Sequence, residues 1–146
     1  MKEMPRKLVF PIVLFASGFC LGNGLRPWSA AHADPSPRVF EIRTYTAAEG
    51  KLDALHTRFR DHTVALFRKH GITSVGYFKP EDAPLAANTL IYILAHPSRD
   101  AATKNWQAFH DDPEWQAVKT ASEANGPLTT KMESVFADPT DYSPMK

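Results

Sequence analysis

Cysteine is nearly absent: Cys20 is the only one in 146 residues. A single thiol excludes an intrachain disulfide framework and a cysteine-rich metal site. Glycine is sparse as well, seven residues against twelve prolines with no repeating period, which excludes collagen-like and glycine-rich classes. No charge of one sign dominates. The formal net charge is +1, which gives no reason to expect a nucleic-acid partner. The chain has no Gly-x-Gly-x-x-Gly, P-loop, Gly-x-Ser-x-Gly or His-Glu-x-x-His, so nucleotide-phosphate binding and the common hydrolase chemistries have no support. What is there is 43% hydrophobic, 11% aromatic and 23% charged residues, a globular composition at the length of one domain.

Residues 1–33 read as an export leader. Lys2, Arg6 and Lys7 make a basic start, Leu8 to Phe19 is an apolar run, and Gly22, Asn23, Gly24 and Pro27 break it. Ala31-His32-Ala33 then supplies the small-x-small pattern that precedes signal peptidase cleavage, predicted between Ala33 and Asp34. The run is shorter than the ~20 residues of a membrane-spanning helix. A cleaved leader is therefore preferred to a retained anchor, and the membrane is met only through an uncleaved leader. A lipoprotein reading would use Cys20, but bulky Phe19 stands where a small residue is needed. Residues 1–33 hold four basic residues and one acid, which leaves the mature chain 34–146 with 13 basic and 15 acidic residues and a net charge of −2. The mature chain is free of cysteine, as suits an oxidising compartment, and the expected location is periplasmic or secreted.

After an extended linker at 34–37, Arg38 to Thr46 alternates Phe40, Ile42 and Thr44 against Val39, Glu41, Arg43 and Tyr45, a strand pattern. Thr46-Ala-Ala-Glu49 matches a capping box and predicts a helix start. On a 100° wheel Leu52, Leu55, Phe59, His62, Leu66 and His70 form one stripe, and Gly71 ends the helix. Ile72 to Lys79 is a second strand, Glu81 to Asn88 a turn-rich connection, and Thr89 to Ala95 a central strand apolar on both faces. Ser98 caps a second helix through Phe109. Asp112-Pro113 caps a third that runs to about Ala124, where Gly126-Pro127 stops it. Leu128 to Phe136 is the last strand, and 138–146 a tail. The order β-α-β-β-α-β over 38–137 is the ferredoxin-like arrangement: an α+β fold with a four-stranded antiparallel sheet and helices on one face. Its other face would be bare in so small a domain, and two sheets packed together as a dimeric α+β barrel would cover it.

Several segments together resemble the NIPSNAP family: Val39-Phe-Glu-Ile-Arg-Thr-Tyr-Thr46, Phe59-Arg-Asp-His-Thr63, Phe67-Arg-Lys-His-Gly-Ile72, Trp106-Gln-Ala-Phe-His-Asp-Asp-Pro-Glu-Trp115 and the tail Pro139-Thr-Asp-Tyr-Ser-Pro144. The resemblance covers nearly all of 38–144 and implies the dimeric α+β barrel. It implies no defined activity, and this chain departs from the eukaryotic members in carrying one domain copy and an export leader. Other families of that fold include cofactor-free monooxygenases, an analogy at the level of fold.

His62 is the candidate catalytic residue. Its place in the apolar stripe points it at the sheet, as a general acid/base or ligand contact, or as a structural histidine bonded to a backbone carbonyl. His70 sits where a helix C-terminus favours an imidazolium. No two histidines are spaced i, i+4, and no metal site or cofactor is expected. Glu41, Arg43 and Tyr45 share one face of the first strand, Lys131 and Glu133 one face of the last. The topology makes those strands neighbours. These charges are expected on the face opposite the helices, either as a salt-bridge network fixing dimer register or as a polar ligand wall with Arg43 as fork donor. Tyr77 and Tyr92 could add hydroxyls. Trp106, Phe109 and Trp115 have helical core spacing, and Trp106 joins Arg43, Tyr45, Tyr77 and Tyr92 as a candidate ligand contact. Asp111, Asp112 and Glu114 fit helix capping rather than calcium binding. The expected function is that of an exported homodimer binding a small apolar or aromatic molecule between first helix and sheet. A cofactor-independent monooxygenase or isomerase using His62, and a structural or partner-binding dimer without a ligand, are the rivals.

Overall fold

Four strands pair into one antiparallel sheet in the order β2-β3-β1-β4: β1 (Val39–Ala47), β2 (Thr73–Phe78), β3 (Thr89–His96) and β4 (Thr129–Ala137). The structure is a computed structural model describing residues 38–146; the leader at 1–33, its cleavage point and the linker at 34–37 lie outside the described residues. β3, apolar on both faces, takes a central position, and β1 pairs with both β3 and β4. Between β1 and β2 lies one helical stretch: α1 (Leu52–Arg58), a π-helical turn (Phe59–Thr63) and α2 (Val64–Lys69). α3 (Arg99–Asp111) and α4 (Pro113–Ser122) come after β3. Among the described residues no helix is long and apolar enough to cross a membrane.

Paired residues of neighbouring strands share a face. Tyr45, Leu90, Tyr92 and Leu94 thus point from the sheet to meet Leu52, Leu55, Phe59, Leu66, Phe67 and Phe109 in one core. Each fully buried Leu or Phe of that core contributes roughly 1.5–3 kcal/mol through lost contact with water. The other face carries Ile42, Ile91, Ile93 and Val135 across β1, β3 and β4, with Phe78 on β2. Val135 there is 60% exposed. The C-terminal tail packs over one end of this face. Pro139 and Met145 lie near Phe40, which is only 5% exposed, and the Lys146 carbonyl accepts a 2.7 Å hydrogen bond from Arg38 Nε.

The expected stops and caps at three points are present. Ser98 Oγ accepts from the Ala101 amide, Asp112 Oδ1 accepts from the Glu114 amide with Pro113 in the first turn, and Gly71 holds φ +71° after α2. His70 does more than lie at a helix end: its Nε2 meets Asp112 Oδ2 at 2.6 Å, beside Lys69. Hydrogen bonds from Lys69 and His70 and from the Glu114 amide hold the Asp112 carboxyl well below the usual carboxylate range.

Three expectations are corrected. Thr46-Ala-Ala-Glu49 does not cap a helix. Thr46 stays in β1 opposite Thr89 and Lys131, because neighbouring strands claim the backbone there, and a turn at Gly50 (φ +68°) leads into α1 at Leu52. His62 does not face the sheet. The Val64 amide reaches back five residues to the Phe59 carbonyl, so the π turn inserts one residue and rotates the rest of the helix relative to α1. Thr63 takes the inward position and hydrogen-bonds the Arg58 carbonyl, while His62 is exposed. Finally, Glu41, Arg43 and Tyr45 lie on the helix side of the sheet, and only the exposed Lys131–Glu133 pair remains on the open face. The alternation of β1 is correct; the face assigned to it is reversed, because Tyr45 belongs to the core and carries its strand-mates inward with it.

Candidate functional site

Every second residue of β1 projects toward the helices: Glu41, Arg43, then Tyr45. Glu41 is 1% exposed and accepts four hydrogen bonds from four elements. Its Oε1 accepts from Arg43 Nη1 (β1) and Ser134 Oγ (β4), both at 2.6 Å; its Oε2 accepts from Trp106 Nε1 (α3) at 2.7 Å and from His96 Nε2 (β3) at 3.0 Å. Burial alone would raise its pKa. The bonds from His96, Ser134 and Trp106, with the Arg43 charge, outweigh burial and hold it at about 2.

Arg43 is the residue this carboxylate orients. Its Nη2 donates to Tyr45 Oη at 3.2 Å, and its guanidinium carbon lies 4.4 Å from the Trp106 ring centroid, a cation–π contact. Burial opposes its charge, but the Tyr92, Tyr45 and Glu41 oxygens more than offset this, so it stays protonated.

From Arg43 and Tyr45 a cleft of about 360 Å³ opens between the sheet and the helical layer. Phe59, Phe67, Trp106, Phe109 and Trp115 supply its aromatic walls, and Arg58 and Lys119 add cationic groups. Arg58 reaches in from the last turn of α1. Its Nη1 donates to Glu123 Oε1 at 2.8 Å and Ser122 Oγ at 3.2 Å, and its guanidinium lies 5.3 Å from the Trp115 ring centroid. The Nε groups of both arginines are buried without a hydrogen-bond partner. The volume falls in the range of small-molecule sites, roughly 300–1,000 Å³, which characteristically combine apolar walls with a few placed polar groups.

Of the residues expected from sequence, Arg43, Tyr45 and Trp106 therefore meet at one cleft. Tyr92 lies under it, fully buried, its ring edge-on to Tyr45 and Phe59 at 5.2 Å from each; burial pushes its phenol well above the ordinary value. Tyr77 does not line the cleft. It stacks on Tyr92 at 5.7 Å and bonds Ser74 Oγ, which ties it to the β2 side of the core. His62 lies outside, in a shallow groove with Ala54, Thr57, Val118 and Ala121. Sequence reasoning misses three contributors. Arg58 stands three residues after Leu55, a spacing that signals an inward position, while Ser134 and His96 meet Glu41 only through pairing distant in sequence. Among the described residues no group of three or more His, Cys, Asp or Glu side chains could hold a metal ion.

The fold recurs in solved structures. A NIPSNAP family protein of unknown function from Agrobacterium tumefaciens superposes with TM-score 0.66 at 25% identity, over 76% of this chain and 96% of that one. An uncharacterized NIPSNAP-like domain protein from Burkholderia xenovorans gives TM-score 0.65 at 20% identity, covering 75% and 90%. A Streptomyces coelicolor monooxygenase in complex with nanaomycin D gives TM-score 0.52 at 17% identity, covering 78% and 97%, a likeness of fold alone. No curated protein matches the sequence. The NIPSNAP family profile matches residues 40–144, which span β1 to β4, the cleft and the tail, and the chain belongs to that family.

Proposed function

We propose that this protein binds a small planar aromatic molecule carrying an acidic or phenolic oxygen in the cleft between the first helical stretch and the sheet. The observation that carries this reading is the pairing of aromatic walls with two inward-reaching arginines, Arg43 and Arg58, in one cavity of ligand size. Aromatic rings bury large apolar area and prefer edge or offset contact with other rings. A guanidinium fork favours an oxyanion or a polarised oxygen. The acid–base reading that used His62 has no geometry here, because that imidazole is outside the cleft.

The same reading holds that a second copy covers the open sheet face, where Ile42, Ile93 and Val135 form an apolar band between the tail and β2. A contiguous apolar band on a small chain marks an interaction surface. For the cleft, the test uses the tryptophans: two of the three in the chain, Trp106 and Trp115, line it. Titration with 2-naphthoate is expected to quench their emission saturably, and Arg58→Met to weaken the binding by roughly tenfold, the loss of one charge-assisted hydrogen bond. Absence of saturable quenching would refute the reading.

A further inference from the structure

The aromatic cleft is not the end of the cavity system. A second cavity, about 570 Å³, adjoins the cleft: Arg43, Trp106 and His110 line both spaces. Its lining is of different chemistry: Glu41, Thr103, Gln107, Asp111 and Ser134, with Phe136 as one ring. The charge also changes sign. Arg43, Arg58 and Lys119 face the inner space against one acid, Glu123, whereas in the outer one Arg43 stands against two acids, Asp111 and the buried Glu41. Among the described residues Asp111 is engaged only by a long 3.4 Å contact from Gln107 Nε2, and His110 stacks on Trp106 at 5.5 Å with no hydrogen bond from its ring. Burial, with the Arg43 and Lys119 charges, lowers the His110 pKa, so the neutral ring offers one donor and one acceptor.

We infer that the ligand is bipartite: an aromatic acid seated in the inner cleft, joined to a neutral hydroxylated group, of the kind a glycoside carries, that lies in the outer cavity. The inference rests on the cleft reading above and adds to it. Asp111, Gln107, Thr103 and His110 present both donors and acceptors, which suits hydroxyls, since each gives one proton and accepts others. A second carboxylate would meet the Asp111 charge there, with Arg43 already engaged by Glu41, and be repelled. The shared Arg43–Trp106–His110 wall is where the two halves of the ligand would join, aromatic on one side and hydroxylated on the other.

The test uses the full chain and two probes that differ by one group: 6-hydroxy-2-naphthoate and its 6-O-glucoside, each titrated by calorimetry. The glucoside is expected to bind roughly tenfold tighter than the parent acid, a gain of one to two net hydrogen bonds. Thr103→Phe, a bulky change on an exposed position that lines only the outer cavity, is expected to abolish the gain and leave the parent acid's affinity unchanged. Gln107→Leu is expected to reduce the gain in the same way. If the parent acid binds but the glucoside binds no tighter, or if its advantage survives both substitutions, the bipartite inference falls while the cleft reading stands. If neither probe binds, the cleft reading falls and takes this inference with it.

Discussion

Replacing Glu41 by glutamine changes the molecule by one oxygen-for-nitrogen exchange, yet the structure makes it costly. Two of the four donors around the carboxylate, Arg43 Nη1 and Trp106 Nε1, can only donate and need an acceptor. A glutamine amide has one oxygen and one NH₂, so the NH₂ faces either Trp106 Nε1 or Arg43 Nη1, and one obligate donor goes unsatisfied whichever way it turns. The charge that balances half-buried Arg43 is also lost. The lowering of Glu41 from its ordinary 4.5 to about 2 gives the scale of the charge-dependent part, about 3 kcal/mol. Because the folded-state value lies below the unfolded one, that stabilisation is complete above about pH 4.5 and is lost as the pH falls toward 2. Glu41→Gln is therefore expected to lower urea-derived stability by about 3 kcal/mol at pH 7, roughly a 10 °C fall in Tm for a domain of this length. Its deficit relative to the native protein should shrink to about 1 kcal/mol at pH 3 as the native protein loses the same term. Urea titrations of both proteins at pH 7, 5, 4 and 3 measure this directly. A deficit under about 1 kcal/mol at pH 7, or one that does not narrow with acid, would refute the account of Glu41 as a buried, ionised hub.

Two other substitutions probe features away from that hub. Val135→Glu sets a charge in the middle of the open apolar face; if a second copy covers that face as proposed, native mass spectrometry is expected to show a dimer for the native chain and a folded monomer for the variant, and a variant that stays dimeric would refute that surface. Gly71→Ala puts a Cβ into a left-handed backbone (φ +71°), 3.2 Å from Asn105 Nδ2, and is expected to cost about 1–2 kcal/mol in chemical denaturation, with a change within about 0.5 kcal/mol counting against it.

Much of this fold is legible in the residues because local chemistry and tertiary structure agree. Ser98 and Asp112 can satisfy orphan amides wherever a helix comes after them, and Gly71 is the residue a left-handed C-terminus wants. The period-2 pattern of β1 identifies a strand but not its orientation. Phe40, Ile42 and Thr44 look as inward as Val39, Glu41, Arg43 and Tyr45 look outward, and the choice is made by partners 55 to 93 residues away that hydrogen-bond the ionised Glu41. A carboxylate that would be prohibitively costly in an empty core becomes a core residue once four donors surround it. The Thr46 capping box shows the converse: a correct local signal overridden because two flanking strands hold that stretch extended. The outward turn of His62 comes from something no side chain announces, a one-residue widening of the helix.

That widening affects how this sequence should be compared with others. Between Arg58 and Val64 the chain uses one residue more than an α-helical path requires, and packing on either side absorbs it. It is a natural point for homologues to differ in length by one without disturbing α1 or α2. An alignment forced through it without a gap would equate outward His62 with an inward position, and would shift Thr63, Leu66 and Phe67 out of step. Counts of shared core identities downstream of Phe59 then depend on where that single gap is placed, so homologues should be compared across this helix by structural position rather than by residue number.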